Sequence, residues 1–120
     1  MNCLDTYALI EISLGNPKFS ELMKEDFVIT DLTMAEFYIV LRIKHNEQTA
    51  QYWHRKLAAF CKPITRQTVI SALVFREDNK KDDISVFDAV GYEYAKENKY
   101  LFVTGDKAFK GKEGVLFLQK

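Results

Sequence analysis

Short apolar runs alternate with amphipathic stretches along almost all of this chain, and that alternation limits the possible fold more than any motif does. Phe27-Val28-Ile29-Thr30 and Tyr100-Leu101-Phe102-Val103-Thr104 are short, apolar and rich in β-branched or aromatic residues, so they read as buried strands. Asn2–Asp5, Pro63–Thr65 and Val115–Leu118 read as shorter strands. Helical stretches fall between them. Thr6 to about Leu14 is stopped by Gly15-Asn16-Pro17, and Pro17 opens a helix over 17–25 with Asn16 as its cap. Strands interleaved with helices predict an α/β fold with a mainly parallel central sheet covered on both sides, a three-layer arrangement.

The remaining helices are placed by their boundaries and inner faces. Thr33 is expected to cap a helix running to about His45-Asn46, with Leu32 and Phe37 as a hydrophobic staple. A helix over Glu47–Cys61 ends before Pro63. Tyr52, Leu57, Phe60 and Cys61 mark its inner face, extended by Ala50 and Trp53. Thr68–Arg76 reads as helical through Val69, Leu73 and Val74, and the polar run Glu77–Asp83 reads as a loop. Ser85–Asn98 carries Phe87, Val90, Tyr94 and Ala95 at helical spacing.

A length of 120 residues fits one domain, 1–120, with one core. An apolar fraction of 48% beside 28% charged residues is that of a globular protein, and no apolar run is long enough to cross a membrane. The start Met1-Asn2-Cys3-Leu4-Asp5 lacks the basic and apolar regions of a secretory signal, so a cytoplasmic location is expected. Cys3 and Cys61 have no metal-ligand spacing and read as free, packed thiols. His45 and His54 stand alone and read as surface or packing residues.

Charge is balanced overall but unevenly spread. Residues 1–36 hold seven acids against two lysines, whereas Lys96 onward holds six lysines against three acids. On charge alone these lysines read as a solvated lysine-rich end; a basic rim around an acidic centre is the other reading, and would suit a polyanion that must be both attracted and cut.

Four acids sit where a surface acid is not expected. Asp5 ends the first strand, Asp106 follows the strongest strand after Gly105, and Glu36 and Asp88 lie in the first turns of helices. In parallel α/β sheets ligands bind beyond the carboxyl ends of the strands, and helices that follow strands start at that edge. Each acid alone has a capping role open to it. Thr33-x-x-Glu36 matches a capping box, Ser85-x-x-Asp88 is similar, and Asp5 and Asp106 can cap the turns that follow them. Gathered together, the four would repel one another and call for a hard divalent cation. Mg²⁺ suits a set with no histidine or cysteine, and such a site suits phosphodiester hydrolysis. Thr6 and Thr104 are placed to orient water or the carboxylates. The cations that could hold a phosphate backbone at the rim are Arg42, Lys44, Arg76, Lys80, Lys107 and Lys110.

At these residues the chain resembles the PIN-domain ribonucleases, and within them the small toxins of VapC type. The matching pieces are Leu4-Asp5-Thr6 with Ala8-Leu9-Ile10, then Ala35-Glu36, then Ile84-Ser85-Val86-Phe87-Asp88-Ala89, and Val103-Thr104-Gly105-Asp106-Lys107-Ala108-Phe109. Tyr7 departs from the small residue often found at its position. The resemblance implies a PIN-like fold and a Mg²⁺- or Mn²⁺-dependent endoribonuclease with Asp5, Glu36, Asp88 and Asp106 as its metal-binding acids. It also implies an RNA substrate, a homodimer, and an antitoxin whose segment occupies the active-site groove. A PIN nuclease that processes RNA without an antitoxin, or a PIN domain that binds RNA or protein without cutting, is the alternative.

Other readings fit less well. A haloacid-dehalogenase-type phosphatase needs an aspartate two residues after the first, where this chain has Tyr7. A phospho-receiver domain needs an acidic pair at the first strand, where only Asp5 stands. No glycine-rich phosphate loop is present.

Overall fold

A computed structural model describes residues 1–120. It contains one five-stranded sheet, all parallel, in the order β3-β2-β1-β4-β5. The strands are β1 (Asn2–Leu4), β2 (Phe27–Thr30), β3 (Cys61–Lys62), β4 (Leu101–Thr104) and β5 (Val115–Phe117). The helices are α1 (Thr6–Ser13), α2 (Pro17–Ser20), α3 (Asp31–Lys44), α4 (Glu47–Leu57), α5 (Arg66–Asp78) and α6 (Val86–Glu97).

Period-two alternation along the strands builds two cores, one on each face of the sheet. Leu4, Phe27, Ile29 and Val103 point to one side, where α1 to α4 supply Leu9, Ile12, Phe19, Phe37, Leu41 and Leu57. Cys3, Val28 and Phe102 point to the other, where α5 and α6 supply Ala72, Val90, Tyr92 and Ala95. The central strands are buried on both faces, which is why they read as continuous apolar runs.

The sequence expectations need correction at several places. The cap of α3 is Thr30, whose hydroxyl accepts the Thr33 amide at 3.0 Å. Thr33 lies inside the helix, so Glu36 is in its second turn and no Thr33–Glu36 capping box forms. Leu32 packs against the α5/α6 core and Phe37 against the opposite one, so they do not staple the helix. The short edge strand is Cys61–Lys62 rather than 63–65, because it needs only to pair with Ile29 and Thr30.

Helix ends differ as well. A 3-10 turn takes over from α4 at Ala58. Helix α5 starts at Arg66, two residues ahead of the expected start, with Thr65 as its cap. Most of the expected 77–83 loop is the end of α5 followed by a 3-10 turn at Lys80–Asp82.

Two inner faces also move. On α4 the buried positions are Ala50 and Leu57, with Trp53 packed at the core edge, one stripe at helical spacing. Tyr52 falls outside that stripe and is 50% exposed. On α5 it is Thr68 and Ala72 that are buried, while Leu73 and Val74 face outward. Phe87 lies outside both cores; Ala89, Val90, Tyr92 and Ala95 form the inner face of α6. The cysteines are free, Cys3 buried and Cys61 half-buried.

Candidate active site

The strand order reverses direction between β1 and β4, and open parallel sheets hold ligands at such a switch, beyond the carboxyl ends of the strands. Asp5 follows β1 and Asp106 follows β4, so the two flank that point. A pocket of about 600 Å³ opens there. Asp5, Glu36, Asp88 and Asp106 all line it, together with Thr6 and Lys107. Four acids from remote parts of the chain therefore share one depression.

Local structure fixes each of them. Asp5 is the N-cap of α1, accepting the Ala8 amide at 2.9 Å, and its own amide donates to the Val103 carbonyl at 3.1 Å. It is 1% exposed. Asp106 caps the turn Lys107–Phe109 through the Ala108 amide at 3.0 Å. Asp88 is held by α6, whose cap Ser85 accepts the Asp88 amide at 3.1 Å. Glu36 accepts a hydrogen bond from the Thr6 hydroxyl. The Thr104 hydroxyl accepts the Asp106 amide at 3.0 Å and stands near enough to Asp5 to favour its ionised form. Capping and pocket lining are therefore not rivals at Asp5 and Asp106: one carboxylate oxygen caps while the other remains available.

The electrostatics follow from crowding. Burial, then the charge of Asp88, holds the Asp5 carboxyl well above the usual carboxylate range, against the lowering effect of Thr104 and the Ala8 amide. Burial, then Glu36 and Asp106, pushes Asp88 up to about 7. Behind the site, burial and the charge of Asp5 push the Cys3 thiol up to about 12, which keeps it an inert packing group.

No three His, Cys, Asp or Glu side chains are set to hold an ion directly. That suits a cation that keeps much of its water and takes only one or two carboxylates. The pocket lining has carboxylates and a threonine hydroxyl but no thiol or imidazole, the donor chemistry of a hard cation. The residues present thus fit Mg²⁺ or Mn²⁺.

The six expected rim cations are not gathered together. Lys107 alone lines the pocket. Arg42 pairs with Glu47 at 2.7 Å beyond the far end of α3, close to exposed Lys44. Arg76 Nε donates to the Ile84 carbonyl at 2.7 Å, and Lys80 pairs with Glu77 at 2.7 Å. The Lys110 ammonium lies 5.7 Å from the centre of the Phe117 ring.

Sequence reasoning missed several wall residues. Tyr7, Ile10 and Val40 line the pocket. Their spacing from Asp5 and Glu36 along the helices could have shown them. The Tyr7 ring lies against Gly105, where a Cβ would come within 2.3 Å of it, so only glycine fits. Gln119 also lines the pocket, its side-chain amide donating to the Gly105 carbonyl at 2.9 Å, and Lys18 donates to its backbone carbonyl. Nothing local in the sequence signals it, because its place depends on the course of the chain after β5.

Comparison with known proteins agrees with this architecture. The family model described as the PIN domain matches residues 3–114. A search of curated protein sequences finds no match. Among solved structures, a toxin-antitoxin complex from Klebsiella pneumoniae is similar at a TM-score of 0.79 and 21% identity, covering 97% of this chain and 96% of that one. VapC20 of Mycobacterium tuberculosis, described as a sarcin-ricin loop cleaving toxin, is similar at 0.73 and 11%, covering 82% and 84%. FitAcB from Neisseria gonorrhoeae is similar at 0.73 and 19%, covering 98% and 97%. At these identities the likeness is one of fold. The family match spans most of the chain, and the protein belongs to the PIN domain family.

Proposed function

We infer that this chain, read as one nuclease domain over residues 1–120, is a metal-dependent endoribonuclease and the toxin of a toxin–antitoxin pair. The observation that carries the nuclease reading is the convergence of Asp5, Glu36, Asp88 and Asp106 on one pocket at the switch point of the sheet. A site built only to bind a phosphate backbone would gain nothing from four carboxylates facing it.

Mg²⁺ or Mn²⁺ bound there would polarise the phosphate and supply a nucleophilic hydroxide from water near neutral pH. Asp5, Glu36, Asp88 and Asp106 would hold it, one or two of them directly and the others through its bound waters. The protein positions these groups. Thr104 anchors the Asp106 backbone beside Asp5, Thr6 fixes Glu36, and Lys107 offers a cation to the phosphate at the pocket mouth.

The toxin role rests on the company the fold keeps, which includes toxin–antitoxin complexes and a toxin that cleaves the sarcin-ricin loop. An antitoxin segment seated in the acidic pocket is the expected inhibitor. Ile70, Leu73 and Val74 form an exposed apolar strip on α5, which supports a homodimer. No helix is long and apolar enough to cross a membrane. A cytoplasmic location belongs to the same reading.

The experiment is cleavage of total RNA with Mg²⁺, with Mn²⁺ and with EDTA, by the native chain and by Asp5→Asn and Asp88→Asn. Cleavage that needs the metal and is lost in both variants is the expected result. Activity that survives both chelation and substitution would sink the reading. A neighbouring small gene whose product co-purifies with this chain and blocks cleavage would establish the toxin role.

A further inference from the structure

Between β4 and Asp106 the chain passes Gly105, whose backbone lies against the ring of Tyr7. That contact admits only a glycine, so the backbone just ahead of a pocket carboxylate is made of the residue that restrains it least. The peptide unit joining Gly105 to Asp106 is nevertheless gripped at both ends. Its N–H, that of Asp106, donates to the Thr104 hydroxyl at 3.0 Å. Its carbonyl, that of Gly105, accepts from the side-chain amide of Gln119 at 2.9 Å. Gly105 is buried, and no backbone N–H of the turns and loops donates to its carbonyl. The Gln119 amide therefore supplies the partner that a buried carbonyl requires.

Gln119 is itself fixed. Strand β5 pairs with β4 so that Val103 stands beside Leu116 and Thr104 beside Phe117. The Leu118 amide carries the ladder one step further, donating to the Thr104 carbonyl at 2.9 Å. Gln119 is thereby delivered beside Gly105. Leu118 packs against the core under α1 to α4, and the Lys18 ammonium donates to the Gln119 carbonyl. On the other side the Lys120 amide donates to the Tyr7 hydroxyl at 3.3 Å. The backbone around Gln119 is thus tied down before, at and after the residue, and its side chain reaches Gly105 from a fixed base.

We propose that Gln119 is a positioning residue for the metal site, holding the Gly105–Asp106 peptide so that the Asp106 carboxylate keeps its place in the acidic pocket. The proposal rests on the metal-site part of the nuclease reading. One Asp106 oxygen is committed to the Ala108 amide at 3.0 Å, so the aim of the other follows the backbone that carries it. Without Gln119 only Thr104 grips this peptide, and the buried carbonyl must turn toward another donor. The carboxylate then turns with it. Removing an outer support of this kind weakens metal binding by about ten- to a hundredfold. Gln119 also lines the pocket, so a direct contact with RNA is the competing role, and the two roles change different quantities.

The test is Mn²⁺ binding, read from the electron paramagnetic resonance of free Mn²⁺, beside melting in EDTA and cleavage kinetics over a Mn²⁺ series. Gln119→Leu removes the donor at similar size, and Gln119→Asn keeps an amide that is one methylene too short to reach. Arg76→Ala, which takes a donor from the Ile84 carbonyl away from the pocket, controls for general loosening. Both Gln119 variants are expected to bind Mn²⁺ about tenfold more weakly and to need about tenfold more of it for half-maximal cleavage, with KM for RNA unchanged. Arg76→Ala should keep native Mn²⁺ affinity. Native Mn²⁺ affinity in both Gln119 variants would overturn the proposal, whatever their melting temperatures, and would leave the nuclease reading standing if Asp88→Asn still abolishes cleavage. A raised KM at native Mn²⁺ affinity would make Gln119 an RNA contact and overturn it too. So would equal weakening by Arg76→Ala. A native chain that binds Mn²⁺, loses affinity in Gln119→Leu and never cleaves RNA would keep the positioning role and reject the nuclease. A native chain that binds no Mn²⁺ would overturn both.

Discussion

The hydroxyl of Thr6 donates a hydrogen bond to Glu36 Oε1, joining the first turn of α1 to the second turn of α3 across 30 positions of sequence. Thr6 is buried and Glu36 only partly so, which makes the hydroxyl the fixed partner and the carboxylate the group being steered. Thr6→Val keeps the shape and removes the donor. Cleavage should fall about tenfold, in line with loss of a hydrogen bond that orients a metal-site group. Stability should fall by about 1 kcal/mol. Thr6→Ser should retain most of the rate. Single-turnover kinetics and thermal melts of both variants would check this, and a native rate for Thr6→Val would show that Glu36 needs no such support.

Asp88 gives the protein a pH signature of its own. Its carboxyl titrates near 7 in the fold against an ordinary value of 3.8, so between these limits the folded state binds more proton than the unfolded one. Stability therefore falls as pH rises from about 4 through 7 in the metal-free protein. Asp5, shifted the same way, adds to the loss. Melting temperature in EDTA should drop by several degrees over that range, and Asp88→Asn should flatten the slope. Mg²⁺ should raise the melting temperature more at pH 8 than at pH 5.5, because it binds the ionised carboxylates. Equal stabilisation at both pH values would contradict the assignment.

Gly105 and Tyr7 form a second coupled pair. A Cβ at 105 would approach Tyr7 ring carbons at 2.3 to 2.6 Å, inside any tolerable contact. Gly105→Ala should cost about 1–3 kcal/mol through overpacking. Tyr7→Ala loses packing against Phe19, whose ring centre is 5.9 Å away. The double variant should be less destabilised than the two single costs added together, since removing the ring removes the clash. Denaturant melts arranged as a double-mutant cycle measure the difference, and strict additivity would show that the backbone escapes the collision another way.

Lys107 and Arg76 were indistinguishable as candidate phosphate contacts, and their surroundings separate them. Lys107 lines the acidic pocket, whereas the Arg76 guanidinium is engaged by the Ile84 carbonyl. Lys107→Ala should raise KM about fivefold or more with little change in stability, the effect of losing one phosphate contact. Arg76→Ala should leave KM alone and cost about 1 kcal/mol or more, since it frees a carbonyl that had a charged donor. Steady-state cleavage kinetics with parallel melts would tell them apart.

Three of the four acids were legible because each stands at a boundary the backbone announces. Apolar Leu4 gives way to Asp5, Gly105 breaks a strand before Asp106, and Ser85 opens the helix that carries Asp88. Glu36 was found for a reason the structure does not support: it belongs to the second turn of α3, and its partner is Thr6 rather than Thr33. What stayed hidden depends on distant packing. The sequence around Tyr52 does not say that the stripe of Ala50, Trp53 and Leu57 will turn its ring to solvent. The two residues of β3 carry no strand pattern of their own and pair only because Ile29 and Thr30 present an edge. Gln119 reaches the site through the path of the chain after β5 and through Lys18 and Gly105, neither of which neighbours it in sequence.

The position of β4 inside the sheet bears on how the protein is made. β1 is synthesised first and lies at the centre, yet one of its two neighbours is a strand that begins only at Leu101. Until that strand leaves the ribosome, β1 has an open edge, Asp5 lacks the Val103 carbonyl and the Thr104 hydroxyl, and Asp106 has not yet been delivered. A chain interrupted anywhere before Asp106 therefore lacks a complete set of acids. A protein able to cut RNA would in this way be unarmed for as long as it is still attached to the RNA machine that builds it.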